Sequence, residues 1–154
     1  LYPAPLQDEI DALNGEVYAK LNNGVYRCGF ATTQEAYEEA FHGVFEMLDR
    51  LEERLAAGGP YLFGGQLTEA DVRLFVTLIR FDAAYHGLFK ANLRRIADYP
   101  KLSGYLARLL DIPAFRDTAN IPHIKRGYYS IKALNPSGIV PLGPEGPKLE
   151  ASGL

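Results

Sequence analysis

The sequence predicts an all-α bundle of five to seven helices. Three observations carry this. Apolar residues recur at intervals of three and four over long stretches, the spacing that lines up one face of an α-helix. No stretch alternates apolar and polar in the manner of a half-buried strand. Gly, Asn and Pro punctuate the periodic stretches where helices start and stop.

The first helix is expected over 5–21, where Leu6, Ile10, Leu13, Val17 and Leu21 form a single apolar stripe. Asn22, Asn23 and Gly24 should stop or bend it, because Asn and Gly tolerate left-handed backbone at helix ends. A short apolar patch, 25–30, comes next. Thr32 and Glu35 are spaced as a capping box for a second, long helix over 34–57. Its apolar face is Tyr37, Phe41, Val44, Leu48, Leu51 and Leu55; Glu38, Glu46, Asp49, Arg50 and Glu53 lie opposite. Gly58, Gly59 and Pro60 end it.

Thr68 caps the third helix, with Asp71 as the reciprocal partner three residues on and Leu67 and Val72 at the two staple positions. Val72, Phe75, Val76 and Ile79 share one face, and Leu74, Leu78, Phe81 and Ala84 another. A helix apolar nearly all round is expected at the centre, surrounded by neighbours. Its charges, Arg73, Arg80 and Asp82, then need partners or an edge. A turn and a short basic helix are predicted over 87–100. The next helix, with Pro100 near its first turn, buries Tyr99, Leu102, Leu106, Leu109 and Leu110. A further helical stretch over 115–130 is predicted to be interrupted near Pro122. The helical region spans 1–133. The segment 134–154 has four prolines and four glycines and little periodicity, so it reads as an extended tail, ordered only where it docks.

With 154 residues and 47% apolar content, the chain can build one substantial core. A net charge of −3 argues against a nucleic-acid surface. No apolar run is long enough to span a membrane, and the first ten residues lack the pattern of a signal peptide. A single cysteine cannot form an internal disulfide, which favours a reducing, cytoplasmic setting. The sequence begins with Leu rather than Met and so reads as part of something longer.

No metal site is expected: His42, His86 and His123 are far apart, and no ligand spacing recurs. No phosphate-loop glycine pattern occurs either. Cys28 has Arg27 beside it, but adjacent residues on a helix point apart and no base is in view, so Cys28 reads as a packing residue. The tyrosines say more. Tyr26 comes after the helix break, Tyr85 sits near the end of the central helix, and Tyr128 and Tyr129 lie beside His123, Lys125 and Arg126. Either they are hydrogen-bonded tyrosines at the core edge, or they rim a pocket for a flat ligand. Tyr128 and Tyr129 point about 100° apart on a helix, so only one should face such a pocket.

The stretch YLFGGQLTEADVRLF resembles the central-helix motif of the helical C-terminal domain of cytosolic glutathione transferases, with Thr68 and Asp71 at the capping positions. Four further stretches, NNGVYRCGFATTQEAYEEAF, RFDAAYHGLFKANLRRIADYPKL, HIKRGYYS and LNPSGIVPLGP, are similar to the xi class, the glutathionyl-hydroquinone reductases. The resemblance covers nearly the whole chain. It implies a bundle of the glutathione transferase C-terminal type and a dimeric parent using glutathione. It also implies an N-terminal thioredoxin-like domain, absent from this sequence, whose Cys-Pro-Trp motif supplies the nucleophile. That thiolate attacks the sulfur of a glutathionyl-hydroquinone and releases the hydroquinone, and a second glutathione resolves the mixed disulfide. This chain would then supply the aromatic-substrate pocket and take part in dimerisation, with Tyr26 and Tyr128, and next Tyr85 and Tyr129, as substrate-binding residues. It would hold no catalytic residue of its own, and the fragment alone would be inactive. A different role is a non-catalytic interaction or dimerisation module of the same fold, in which the tyrosines are structural.

Overall fold

The computed structural model describes residues 1–147. These fold into seven α-helices: α1 (Gln7–Val17), α2 (Gly24–Gly29), α3 (Gln34–Gly58), α4 (Glu69–Arg80), α5 (Pro100–Leu110), α6 (Pro113–Arg116) and α7 (Ile121–Tyr129). No strand forms among the described residues; two isolated bridges, Tyr61 to Gly64 and Phe63 to Gln66, pin the loop before α4. The helical class is as the periodicity predicts.

α1 buries Ile10, Leu13 and Val17, the stripe expected of it. It does not simply stop at Asn22. It passes into a π-turn, Tyr18–Asn22, closed by the Asn23 amide donating to the Tyr18 carbonyl at 2.9 Å. A π-turn adds a residue to the ordinary turn and redirects the chain beyond it. α2 therefore leaves at a new angle and packs along α3.

α3 starts at Gln34 as expected, but its cap is one residue later than the spacing suggested. Thr33, not Thr32, takes the extended N-cap conformation (φ −131°, ψ 154°), and its side chain accepts from the Ala36 amide. Thr33 leaves Thr32 outside the helix, so the expected box with Glu35 does not form. The apolar face is as read: Val44, Leu48, Leu51 and Leu55 are buried.

The capping box at α4 does form. Asp71 Oδ2 accepts from the Thr68 amide at 2.8 Å and from its hydroxyl at 3.0 Å. Asp71 Oδ1 accepts from the Leu62 amide and from the Tyr105 hydroxyl. Both Thr68 and Asp71 are fully buried. One carboxylate thus ties the start of α4 to the loop before it and to α5. α4 differs from the expectation on one side. Leu74, Phe75, Leu78 and Ile79 are buried, but Val76 is 44% exposed on a face that no described element covers. Its charges are placed as the physics requires: Arg73 pairs with Glu69, Arg80 lies at the open edge, and Asp82 accepts from the Ile96 and Ala97 amides.

A second π-turn, Phe81–Tyr85, continues α4, with the His86 amide donating to the Phe81 carbonyl at 2.9 Å. The basic helix expected over 87–100 is instead a turn, an extended run and one 3₁₀ turn, Ile96–Asp98. The Ile96 and Ala97 amides go to Asp82, and the Arg95 amide to Asp98, so no helical ladder can start there. Glu52 on α3 then caps α5 by accepting from the Lys101 and Leu102 amides. The stretch over 115–130 is interrupted as expected, between Arg116 of α6 and Ile121 of α7, but Pro122 is not what breaks it. Pro122 sits in the first turn of α7, where a missing N–H costs nothing, and Asn120 accepts from the His123 amide as the cap.

The tail leaves α7 through a turn in which the Asn135 side chain donates to the Tyr129 and Ile139 carbonyls. It then runs back against α7. Lys125, only 8% exposed, donates to the carbonyls of Leu142 and Gly143 at 2.9 and 3.2 Å. Positions 148–154 of the expected tail lie outside the described residues.

Candidate functional site

Three tyrosines from three elements meet at one point. Tyr26 comes from α2, Tyr85 ends the second π-turn, and Tyr128 comes from the last turn of α7. The Tyr128 hydroxyl lies 2.5 Å from that of Tyr26 and 2.9 Å from that of Tyr85. Their rings form one aromatic group with Phe89. Tyr85 stacks on Phe89 at 5.3 Å, Tyr26 sits 5.2 Å from Phe89, and Tyr128 meets Tyr85 edge-on at 5.2 Å. Gly29 makes room for this group, because a Cβ there would collide with the Phe89 ring. The position admits only glycine unless Phe89 moves.

The three hydroxyls carry three protons and make two bonds with one another, so one proton is left over. Tyr85 is 3% exposed and Tyr26 37%. A buried donor with nothing to bond is costly, whereas an exposed one bonds water. The favoured direction therefore runs from Tyr85 to Tyr128 to Tyr26, with the spare proton at Tyr26, on the open side. Burial, the bond to Tyr128 and the nearby Tyr26 hydroxyl raise the Tyr85 hydroxyl far above the usual tyrosine range. Burial also raises Tyr128. Both remain donors at neutral pH.

The group closes one end of a cleft of about 960 Å³ between α4 and α6–α7. Val72, Phe75, Val76 and Ile79 of α4 form one wall, and Phe115, Ile124 and Ile131 the other; Tyr26, Tyr128, Arg80, Asn120 and His123 supply polar atoms. The uncovered face of α4 is thus the floor of this cleft. A smaller hollow of about 420 Å³ shares Tyr26, Tyr128, Val76 and Arg80 with the cleft and is lined also by Tyr85, Asn22 and Thr77. Asn22, the last residue of the first π-turn, donates to Thr77 Oγ1 at 2.6 Å and so ties the root of α2 to α4.

Of the tyrosines singled out in the sequence, the fold brings Tyr26, Tyr85 and Tyr128 together. Tyr129 turns away: its hydroxyl lies where a Cβ on Gly87 would be 2.6 Å distant, and it borders a separate hollow with Leu88 and Leu134. Cys28 is on α2 but points into the core, 2% exposed, and burial pushes its thiol up to about 11. Phe89, Arg80 and Gly29 were not singled out for the site from the sequence. Phe89 stands four residues beyond Tyr85 and Gly29 three beyond Tyr26, but only the folded packing joins these pairs. No group of three or more His, Cys, Asp or Glu is placed to hold a metal among the described residues, and no helix there is long and apolar enough to cross a membrane.

Residues 34–108 match the family model for the glutathione S-transferase C-terminal domain. The chain is 58% identical over 147 residues to the glutathionyl-hydroquinone reductase PcpF of Sphingobium chlorophenolicum, covering 95% of this chain and 47% of that protein. The glutathione-bound structure of YqjG from Escherichia coli K-12 superposes with a TM-score of 0.92 at 50% identity, over 96% of this chain and 48% of that one. The xi glutathione transferase of Phanerochaete chrysosporium does so with a TM-score of 0.91 at 54% identity, over 94% and 46%. The chain spans about half the length of the relatives it matches. Helical content, the Thr68–Asp71 box and these matches agree: residues 34–108 are a glutathione S-transferase C-terminal domain, and over nearly its whole length the chain is similar to the xi-class glutathione transferases.

Proposed function

We propose that the tyrosine end of the cleft is the aromatic-substrate site of a glutathione-dependent reductase that converts glutathionyl-hydroquinones to hydroquinones. The observation that carries this reading is the linked trio Tyr85–Tyr128–Tyr26, with its spare proton at the open end of an apolar cleft. A hydroquinone is a flat ring with two hydroxyls and suits a slot with apolar walls and a polar rim. Glutathione, bound together with a cysteine of a thioredoxin-like domain in the parent protein, would supply the thiol exchange. This chain would bind the ring, keep water from it and hold a proton at Tyr26 Oη. When the carbon–sulfur bond breaks, the electron pair passes to the ring. A hydroxyl donor beside it stabilises that charge and returns a proton.

The walls fit the ring better than they fit glutathione. Among the described residues lining either cavity there is no carboxylate to receive the tripeptide's ammonium group. Its grip is therefore assigned mainly to the thioredoxin-like domain, and the rest of the apolar α4 floor to contact with that domain. The test is steady-state kinetics of the two-domain parent. Tyr128→Phe and Tyr26→Phe should each lower turnover roughly 10- to 1,000-fold, while the 154-residue chain alone turns over no substrate. Unchanged kinetics in both variants would remove the tyrosines from the site and favour an interaction module.

A further inference from the structure

We infer that Arg80 is an anion-recognising residue of this cavity, and that the aromatic substrates it selects carry a negative charge, as a ring carboxylate or an ionised phenol. The inference rests on the reading of the cleft as an aromatic-substrate site and specifies its chemistry. Arg80 is the last residue of α4 and, like Tyr26 and Tyr128, lines both the large cleft and the small hollow. It is half-buried, yet among the described residues no carboxylate stands within ion-pair distance of it. Six other arginines have acidic partners, among them Arg73 with Glu69, Arg94 with Asp49 and Arg95 with Asp98; Arg54 and Arg108, which go to backbone carbonyls, lie outside the two cavities. Arg80 likewise donates from Nη1 to the Val76 carbonyl at 2.7 Å. That bond fixes the guanidinium against its own helix and uses one of its five N–H donors.

The surroundings point the same way. The chain carries a net charge of −3, yet no described residue lining either cavity is an Asp or a Glu. The other basic side chains there are His123 and the already paired Arg73. The Arg80 charge acts on the tyrosines as well, opposing the burial that raises Tyr128. A fixed, half-desolvated guanidinium beside hydroxyl donors, with no acid to quench it, matches a planar carboxylate or phenolate in both shape and charge.

The test titrates the chain by NMR and calorimetry at low salt with two rings that differ only by an ionised carboxylate, 2,5-dihydroxybenzoate and hydroquinone. The wild type should prefer the carboxylate roughly 10-fold. Arg80→Gln should bring the two affinities within about twofold, and Arg80→Lys, which keeps the charge but not the fork, should retain part of the preference. A preference that persists in Arg80→Gln, or is missing from the wild type, overturns the inference. Tyr128→Phe, titrated alongside, separates the two levels. If it weakens both rings while no charge preference exists, the cleft reading stands and the role of Arg80 falls. If neither ring responds to it, the cleft reading falls and the inference falls with it.

Discussion

Cys28 stands two residues from Tyr26, yet the two have opposite environments. The Tyr26 hydroxyl reaches the cleft, while the Cys28 thiol is packed in the core with an acidity shifted from an ordinary 9.0 to about 11. A thiol raised in this way contributes stability that is fully present while the unfolded thiol stays protonated. It is lost as pH climbs from about 9 towards 11, because only the unfolded chain then releases the proton. Urea unfolding of wild type and Cys28→Ala across that range should show the wild type's advantage shrinking as pH rises. An advantage that is flat or grows would contradict the burial argument. The packing role of Cys28 was legible in the sequence from its lack of a neighbouring base. The trio was legible only as tyrosines in suggestive places, since Tyr26 and Tyr128 are 102 residues apart and nothing local records their contact.

Among the elements, α4 concentrates most of the order. Its box was readable because Thr68 and Asp71 are three residues apart and satisfy each other's backbone. The Leu62 amide and the Tyr105 hydroxyl, which share the same carboxylate, were not, because they arrive from a loop and from α5. Asp71→Ala would strand four buried donors at once and should cost about 3–5 kcal/mol, against about 1–2 for Thr68→Ala, measured by urea denaturation. Asp71→Ala values no larger than those of Thr68→Ala would mean the outer two bonds contribute little. The two π-turns were illegible for a different reason. A π-turn is one extra residue in a hydrogen-bond ladder and has no composition of its own, so 18–22 and 81–85 read as ordinary helix or bend. Both nevertheless lie at the roots of the site: one ends at Asn22 before α2, the other at Tyr85. The uncovered side of α4 was misread because apolar residues on every face look the same whether a neighbour from this chain or from elsewhere covers them.

In the molecule as a whole, α3 packs against α2 and α5 and α4 against α1 and α5, α7 closes the cleft, and the tail straps α7 from outside. Lys125 is where helix and strap meet, one turn before Tyr128 on the same helix. Lys125→Met keeps the apolar stem and removes the ammonium group. It should speed subtilisin cleavage between 138 and 147 by roughly 10-fold, as expected for loss of charge-assisted bonds. An unchanged cleavage rate would mean that contacts such as Gly146 on Ile121 hold the strap unaided. The sequence indicated a tail that needs a dock. It did not indicate the dock, because a lysine in a helix reads as solvated until its burial is seen.

Lys125 grips carbonyl oxygens, and every residue has one. What it holds is therefore a route and not a spelling. Substitutions at Leu142 or Gly143 that leave the backbone on its course should leave the grip intact, whereas loss of the single lysine should not.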